Sequence, residues 1–509
     1  MDWNGTSKAL GGLFKRGDTV LTIEEIKRFL DDAESDKQSI QAKVGRRYYD
    51  ANHDICKYRL FYYDANGKLQ EDTTRSNIKI SHPFFAELVD QEVQYLLSNK
   101  DRIIVAEDAE LQKEMDAYFN DNDSFRAELA ETCTDAFVCG WGWMYAYMGK
   151  NERLSFQRAD PLHVKPVEAR FASDGKDYML YRYTQRADNS GRLIHKIIVM
   201  DDTQQWRFEQ IGNGAIELDK EAKINPCPHI VYQKDNSDDS YWEGLGFLPW
   251  FRLDNNRKRQ SGLHPIKALI DDYDLMACGL SNNLQDLTEG IYVVKGYDGD
   301  DISEIVTNLR VKKAIGTSDT GGVDVKTIDI PYAARKVKLD LDKESIYHFG
   351  MGFDPTQVGD GNVTNVVIKS RYALLDIKCN KAETNLRNMM GGIIDVVLER
   401  INQERGTAYK RADIQMDFRR ECITNESDNA GIEQAKATAA QTRVNTLMSA
   451  AAQIGVDAVL DTLCKELDLD AEDVRKKMEQ DKAETADGII SKLQEVNADD
   501  KPAEAVSAV

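Results

Sequence analysis

Apolar residues recur at steps of three and four across residues 265–289, where Ile266, Leu269, Tyr273, Met276, Leu280, Leu284 and Leu287 share one face and Asp271, Asp272, Asp274 and Asp286 fall outside it. That period predicts an amphipathic helix with one packed side and one acidic side. Pro265 suits its first turn, since the missing N–H would have had no intrahelical partner, and Gly290 ends it. At ~1.5 Å per residue the segment is a rod of about 37 Å. The period then changes. Ile291 to Val294, Val311 to Thr317 and Val323 to Ile330 predict strands around a short helix from Ile302 to Leu309, and Pro331 closes this small unit. A second helix is expected over 332–349. Residues 350–362 hold four glycines and a proline, which excludes helix. Asn362 then caps a long helix over 363–405, in which Val366, Leu374, Ile377, Leu386, Met390, Ile393, Val397 and Ile401 keep helical spacing and Gly391-Gly392 is the place for a kink.

Before this run, Thr22 and Glu25 form a capping-box pattern for a helix from Ile23 to the Lys43 region. Asn66-Gly67 predicts a hairpin between Tyr58–Tyr63 and Leu69–Thr73. A helix over 83–98 turns Phe85, Leu88, Val89, Val93 and Leu96 inward, with Glu92 the exception on that side. Helices over 109–120 and 124–139 follow, and Gly140 opens a β region. There Met179, Tyr181 and Tyr183 alternate with Tyr178, Leu180 and Arg182, and Asn213-Gly214 marks another hairpin. Beyond 405 the pattern gives a strand over Asp413 to Phe418, helices over 431–454, 456–466 and 470–482, and a disordered tail at 499–509. The fold class is α+β, mainly α.

The order of these parts, with the stretch Ser76–Leu97 and the run Gly361–Lys369, resembles the portal proteins of tailed bacteriophages, specifically long-tailed phages of Gram-positive hosts. The resemblance covers nearly the whole chain. It implies a portal-type fold with residues 1–261 as the first part of a wing, 262–289 and 332–349 as a two-helix stem, and 290–331 as an αβ clip. It further implies 350–362 as a tunnel loop, 363–425 as the rest of the wing with a channel-spanning helix, and 426–498 as a crown. By the same likeness the protein is a homo-oligomeric ring, usually of twelve subunits, at one capsid vertex. Double-stranded DNA passes through that ring during packaging and ejection. Its partners are terminase, a head-tail adaptor, and the major capsid and scaffolding proteins. Phe353, Thr356, Gln357, Val358 and Asn362 then face DNA in the tunnel loop, and Leu280, Leu284 and Leu287 pack the stem.

Composition narrows the chemistry. At 509 residues with 41% hydrophobic and 30% charged positions, the chain has enough apolar surface for more than one structural region. No run reaches the ~18 apolar residues of a membrane span, and the start at Met1-Asp-Trp lacks a signal-peptide pattern. The expectation is a virion protein assembled in the host cytoplasm, with no membrane partner. Eight cysteines without a Cys-x-x-Cys pair indicate neither zinc nor a disulfide framework. A net charge of −21 argues against a simple nucleic-acid binder, whereas acidic walls suit a channel through which DNA must slide. Within this acidic chain Lys295, Arg310, Lys312, Lys313 and Lys326 give the β unit a basic bias. They are either a solvated face or a docking surface for an acidic partner or DNA.

Catalytic signatures are missing from the sequence: there is no phosphate loop, no His-Glu-x-x-His and no Gly-x-Ser-x-Gly. Asp468 to Glu479 has the acidic spacing of a calcium loop, but Asp473 stands where glycine must make the turn, so a helix start is expected instead. No enzyme activity, cofactor or metal is expected. The alternative is a metal-dependent nuclease using clustered acids, since Mg²⁺ needs only one or two carboxylates plus phosphate.

Overall fold

The computed structural model describes residues 21–454 except 65, 74, 100, 150–152, 188–191, 234–239, 287–290, 296–321, 327–330, 358–364 and 421–425, and beyond them 459, 460, 462, 464 and 474. Among these residues the helices are α1 (Ile23–Ser35), α2 (Lys37–Tyr49), α3 (Phe84–Leu96), α4 (Ala109–Met115), α5 (Asp123–Cys139), α6 (Lys267–Asp286), α7 (Tyr332–Gly350), α8 (Asn365–Arg405) and α9 (Glu426–Ile454). The chain divides into one unit of residues 1–358 and 371–422 and a second of 359–370 and 423–509.

The first unit has two hydrophobic clusters. In the larger, β4 (Trp141–Met148) is the middle strand of an antiparallel sheet between β5 (Leu154–Ala159) and β14 (Trp250–Asp254). Helix α5 lies against this sheet, and α8 contributes Leu375, Cys379, Leu386, Met390, Ile393, Val397 and Ile401 to the same cluster. Those positions follow the three-four spacing expected of a buried helix face. Ile377, counted on the packed side from the sequence, is exposed instead, because the stripe passes through Leu375 and Cys379. No kink is needed at Gly391-Gly392, where the helix continues. These glycines admit close neighbours: a Cβ on Gly391 would lie 2.0 Å from Arg411 Nη2, and one on Gly392 3.3 Å from Phe251.

The smaller cluster joins α1 to a sheet in which β6 (Val164–Val167), β7 (Tyr178–Ala187), β8 (Arg192–Met200), β9 (Gln204–Ile211) and β10 (Ile216–Leu218) pair in order, with Cys227-Pro228 added to β9. Alternation turns Tyr178 and Leu180 of β7 and Ile197 and Val199 of β8 toward Ile26, Phe29 and Leu30 of α1. The capping box forms as expected: Thr22 Oγ1 accepts from Glu25 N, and Glu25 Oε2 accepts from Thr22 N. On α3 the apolar side holds an acid outright. Glu92 is 2% exposed and lies 2.8 Å from Lys378 Nζ of α8.

Several boundaries differ from expectation. Helix α4 stops at Met115 and is followed by a π turn over Asp116–Asn120, whose Asn120 amide caps Ile103 N, Ile104 N and Ile104 O. The hairpin at Asn66-Gly67 pairs only Phe61–Tyr63 with Leu69–Glu71. The strand expected at 413–418 is Ile414–Met416, paired with Ile104–Ala106. In the second unit α9 is mainly solvent-exposed, with Val444 buried. The tail at 499–509 and most of the expected crown lie outside the described residues.

Candidate assembly and channel surfaces

Helix α6 is seated on the chain that precedes α3. Its polar residues Asp274, Cys278, Asn282 and Asp286, spaced four apart, accept from the backbone N–H of His82 (3.0 Å), Ile80 (3.2 Å), Ile78 (2.6 Å) and Ser76 (3.1 Å) respectively. Each helical step of four residues advances about 6 Å and each pair of extended residues about 6.6 Å, so four rungs stay in register along an antiparallel zipper. The zipper replaces sheet partners for backbone donors that would otherwise go unpaired.

At its upper rung Asp274 is fully buried. Its Oδ2 lies 2.6 Å from His53 Nδ1 and its Oδ1 2.7 Å from His82 Nδ1. Burial alone would push the Asp274 carboxyl up, but hydrogen bonds from His53 and His82 outweigh it and hold the group below the usual aspartate value. His53 stacks on Tyr48 with ring centroids 4.4 Å apart, and the Tyr48 hydroxyl donates to Asp271. Lys267 Nζ closes the cluster at 2.6 Å from both Asp54 and Asp271. The acidic side of α6 is therefore its tied side, and Ile270, Asp274 and Cys278 are its buried line. The sequence placed Asp274 on the solvent face; its two imidazole partners lie too far along the chain for periodicity to reveal.

Helix α7 runs alongside α6, with Lys338 Nζ 2.6 Å from Asp272 and also paired to Asp342. It ends at Met351, whose φ of 56° is left-handed, with Met351 N donating to His348 O (3.1 Å) and Gly352 N to Tyr347 O (3.0 Å). The flanking glycines serve close approach here. A Cβ on Gly350 would lie 2.7 Å and one on Gly352 2.0 Å from Leu88 side-chain carbons. The Gln91 amide then brackets Phe353, accepting from its N–H at 3.0 Å and donating to its carbonyl at 2.8 Å. The Phe353 ring stacks on Tyr372 at 5.1 Å. Asp354 accepts from Thr356 N (3.0 Å) and Thr356 Oγ1 (2.7 Å) and lies 3.1 Å from Lys343 Nζ. The first half of the glycine-rich loop is thus fastened to α3, α7 and α8. Gln91, the residue that fastens it, shows no signal beyond its place in the Ser76–Leu97 stretch.

The anticipated site residues fall as follows. Leu280 is half-buried, Leu284 is 57% exposed, and Leu287 lies outside the described residues. Phe353 and Thr356 are placed as above, Gln357 closes a 3-10 turn with Pro355, and Val358 and Asn362 lie outside the described residues. In the β unit, Ile291–Lys295 pairs with Gly322–Lys326 so that Lys295 faces Gly322 and Lys326 faces Ile291. Those two lysines sit at opposite ends of the ladder rather than side by side. Arg310, Lys312 and Lys313, with the expected 302–309 helix and 311–317 strand, lie outside the described residues.

A family model described as "Phage portal protein, SPP1 Gp6-like" matches residues 29–469. The chain belongs to this SPP1 Gp6-like family of phage portal proteins. It is 28% identical over 394 residues to the portal protein of Bacillus phage SPP1, covering 75% of each chain. It is 25% identical over 434 residues to the portal protein of Clostridium phage phiCD119, covering 81% of this chain and 89% of that one. Among solved structures it is similar to a chain titled as the neck of an empty GTA particle computed with C6 symmetry. That match has a TM-score of 0.34 and 12% identity, over 66% of this chain and 81% of the other. The resemblance drawn from the sequence is thereby established, and with it the function of a phage portal protein, a structural family of the virion. The nuclease alternative finds no support. Among the described residues no helix is long and apolar enough to cross a membrane.

Proposed function

We propose that copies of this chain close into a ring of twelve at one capsid vertex, where α6 and α7 form the stem around a DNA channel. The observation that carries this reading, beyond family membership, is that the α6–α7 pair leaves apolar side chains uncovered, on opposite sides of α6 at Leu275 and Leu284. Leu275 and Leu284 of α6 and Val337 and Leu341 of α7 are exposed within the chain. A heterologous ring needs two such surfaces that meet on neighbouring copies. Residues 290–331 then serve as the clip, 350–362 as the tunnel loop, and 426–498 as the crown. Phe353, Thr356, Gln357, Val358 and Asn362 make sequence-independent contacts with passing DNA, with no arginine or lysine between 350 and 362 to trap it. Terminase and the head-tail adaptor dock on the clip, and capsid and scaffolding proteins surround the wing.

The test is Leu284→Asp. Because the side chain is exposed in the isolated chain, the variant folds with unchanged circular dichroism. Burying an unpaired carboxylate between subunits costs several kcal/mol or more, so sedimentation velocity and electron microscopy should show subunits without rings. Normal rings from L284D would refute the stem assignment.

A further inference from the structure

A cleft of 370 Å³ lies in the first unit between the α1–α2 junction, the face of β6–β8, and Trp141, Trp143 and Arg252 of the central sheet. Its floor continues the face that carries Tyr178 and Leu180 beneath α1: Arg182 and Thr184 follow on β7, and His195 pairs with Thr184 on β8, Nδ1 to Oγ1 at 2.9 Å. In a chain of net charge −21, the lining is basic. Lys43, Lys165, Arg182, Arg252 and Arg259 stand against one acid, Asp36. That acid is occupied in capping α2, accepting from Ser39 N at 3.2 Å. Asp254, outside the lining, lies 2.8 Å from Arg252 and 3.6 Å from Arg259. Among the described residues neither Lys43 nor Lys165 has an acidic partner. The 13-residue helix α2 adds the positive end of its dipole, with Gln38 and Ser39 of its first turn on the wall.

The second observation is independent of charge. Trp143 lines the cleft, is 4% exposed, and its buried indole N–H has no hydrogen-bond partner. Arg252 Nε is also buried and is held in an ion pair with Asp254 at 2.8 Å without a hydrogen bond of good geometry. Buried indole and guanidinium donors are ordinarily paired. An orphaned buried indole donor on a basic cleft is the complement of an anionic oxygen.

We propose that this cleft is an oxyanion-binding site, taking a carboxylate or phosphate group. Lys43, Lys165 and Arg182 supply charge, and Trp143 Nε1 and the Arg252 guanidinium supply hydrogen bonds. Its volume admits a small molecule or one or two side chains. The two sources of that chemistry are a phosphate ligand and the carboxylates of an acidic polypeptide segment. Both are tested on the full-length assembled protein by calorimetry and tryptophan emission. The probes are inorganic phosphate and, separately, a capped Glu-Glu-Asp-Glu peptide, at ionic strength held constant with sodium chloride so that general screening cancels.

The expected result is one saturable site per chain for at least one probe. A response to phosphate alone assigns a phosphate ligand, and a response to peptide alone or tighter peptide binding assigns an acidic segment. Lys43→Glu with Lys165→Glu should weaken binding by about tenfold or more, and Trp143→Phe, which keeps the charge, by roughly fivefold, on the scale of charge-assisted hydrogen bonds. Thermal midpoints of both variants check folding, and W143F keeps the test open if charge reversal perturbs the wing. No saturable response to either probe, or wild-type affinity in folded variants of both kinds, would overturn the assignment.

Discussion

The carboxylate of Asp274 satisfies two imidazoles and a backbone N–H with no access to water. Its removal leaves the buried His53 Nδ1 and the half-buried His82 Nδ1 without their carboxylate partner, so Asp274→Ala should cost about 3 kcal/mol in urea unfolding. The pH dependence has a definite sign. A carboxyl held below its ordinary value in the folded chain contributes stability above the unfolded value, about 4, and loses it as pH falls through the lower folded value. The gap between wild type and D274A should therefore be constant near neutrality and close in acid; a gap that widens in acid would mean that another group governs it. Nothing local marks Asp274 in the sequence. Its neighbours Asp271 and Asp272 look the same, and only the distant His53 and His82 distinguish it. Glu92 was likewise read as an exception on an apolar face, and Lys378 explains it.

At the scale of elements, the long helices were legible because their apolar spacing repeats over many turns. The periods read over 265–289, 332–349 and 363–405 appear in the chain as α6, α7 and α8, with ends shifted by at most three residues. The tunnel-loop region was less so, since glycine signals two different things. In Gly350 and Gly352 it signals the closeness of Leu88 rather than freedom of φ and ψ. Two tests follow. Gly352→Ala should destabilise the junction, and Leu88→Ala in the same chain should recover part of the loss by removing the clash, as a double-mutant cycle would read. Gln91→Leu should raise amide exchange at Phe353, which loses its acceptor, while α3 and α7 keep their protection. Unchanged exchange at Phe353 would show that the Tyr372 stack alone holds the loop.

For the whole molecule, the order of parts with the stretches Ser76–Leu97 and Gly361–Lys369 resembled the portal proteins before any contact was known, and the family match bears that out. What sequence could not show is which leucines remain uncovered after folding, because a period marks a face without naming its partner. Leu284 is the example: it lies on the apolar stripe yet outside the chain's own core. If the clip docks the adaptor or terminase, Lys312→Glu with Lys313→Glu should leave the ring intact and should reduce attachment in a pull-down; full attachment would make those lysines a solvated face. The zipper between α6 and residues 76–82 adds a mechanical consequence. Sliding α6 by one residue, ~1.5 Å, also turns it by about 100°, which carries Asp274, Cys278, Asn282 and Asp286 off their four amides together. So α6 is keyed like a shaft: an axial load on it is carried by the four rungs into His82-Pro83 and the start of α3, and by its ties to His53, Asp54 and Lys338, and the rungs give way together.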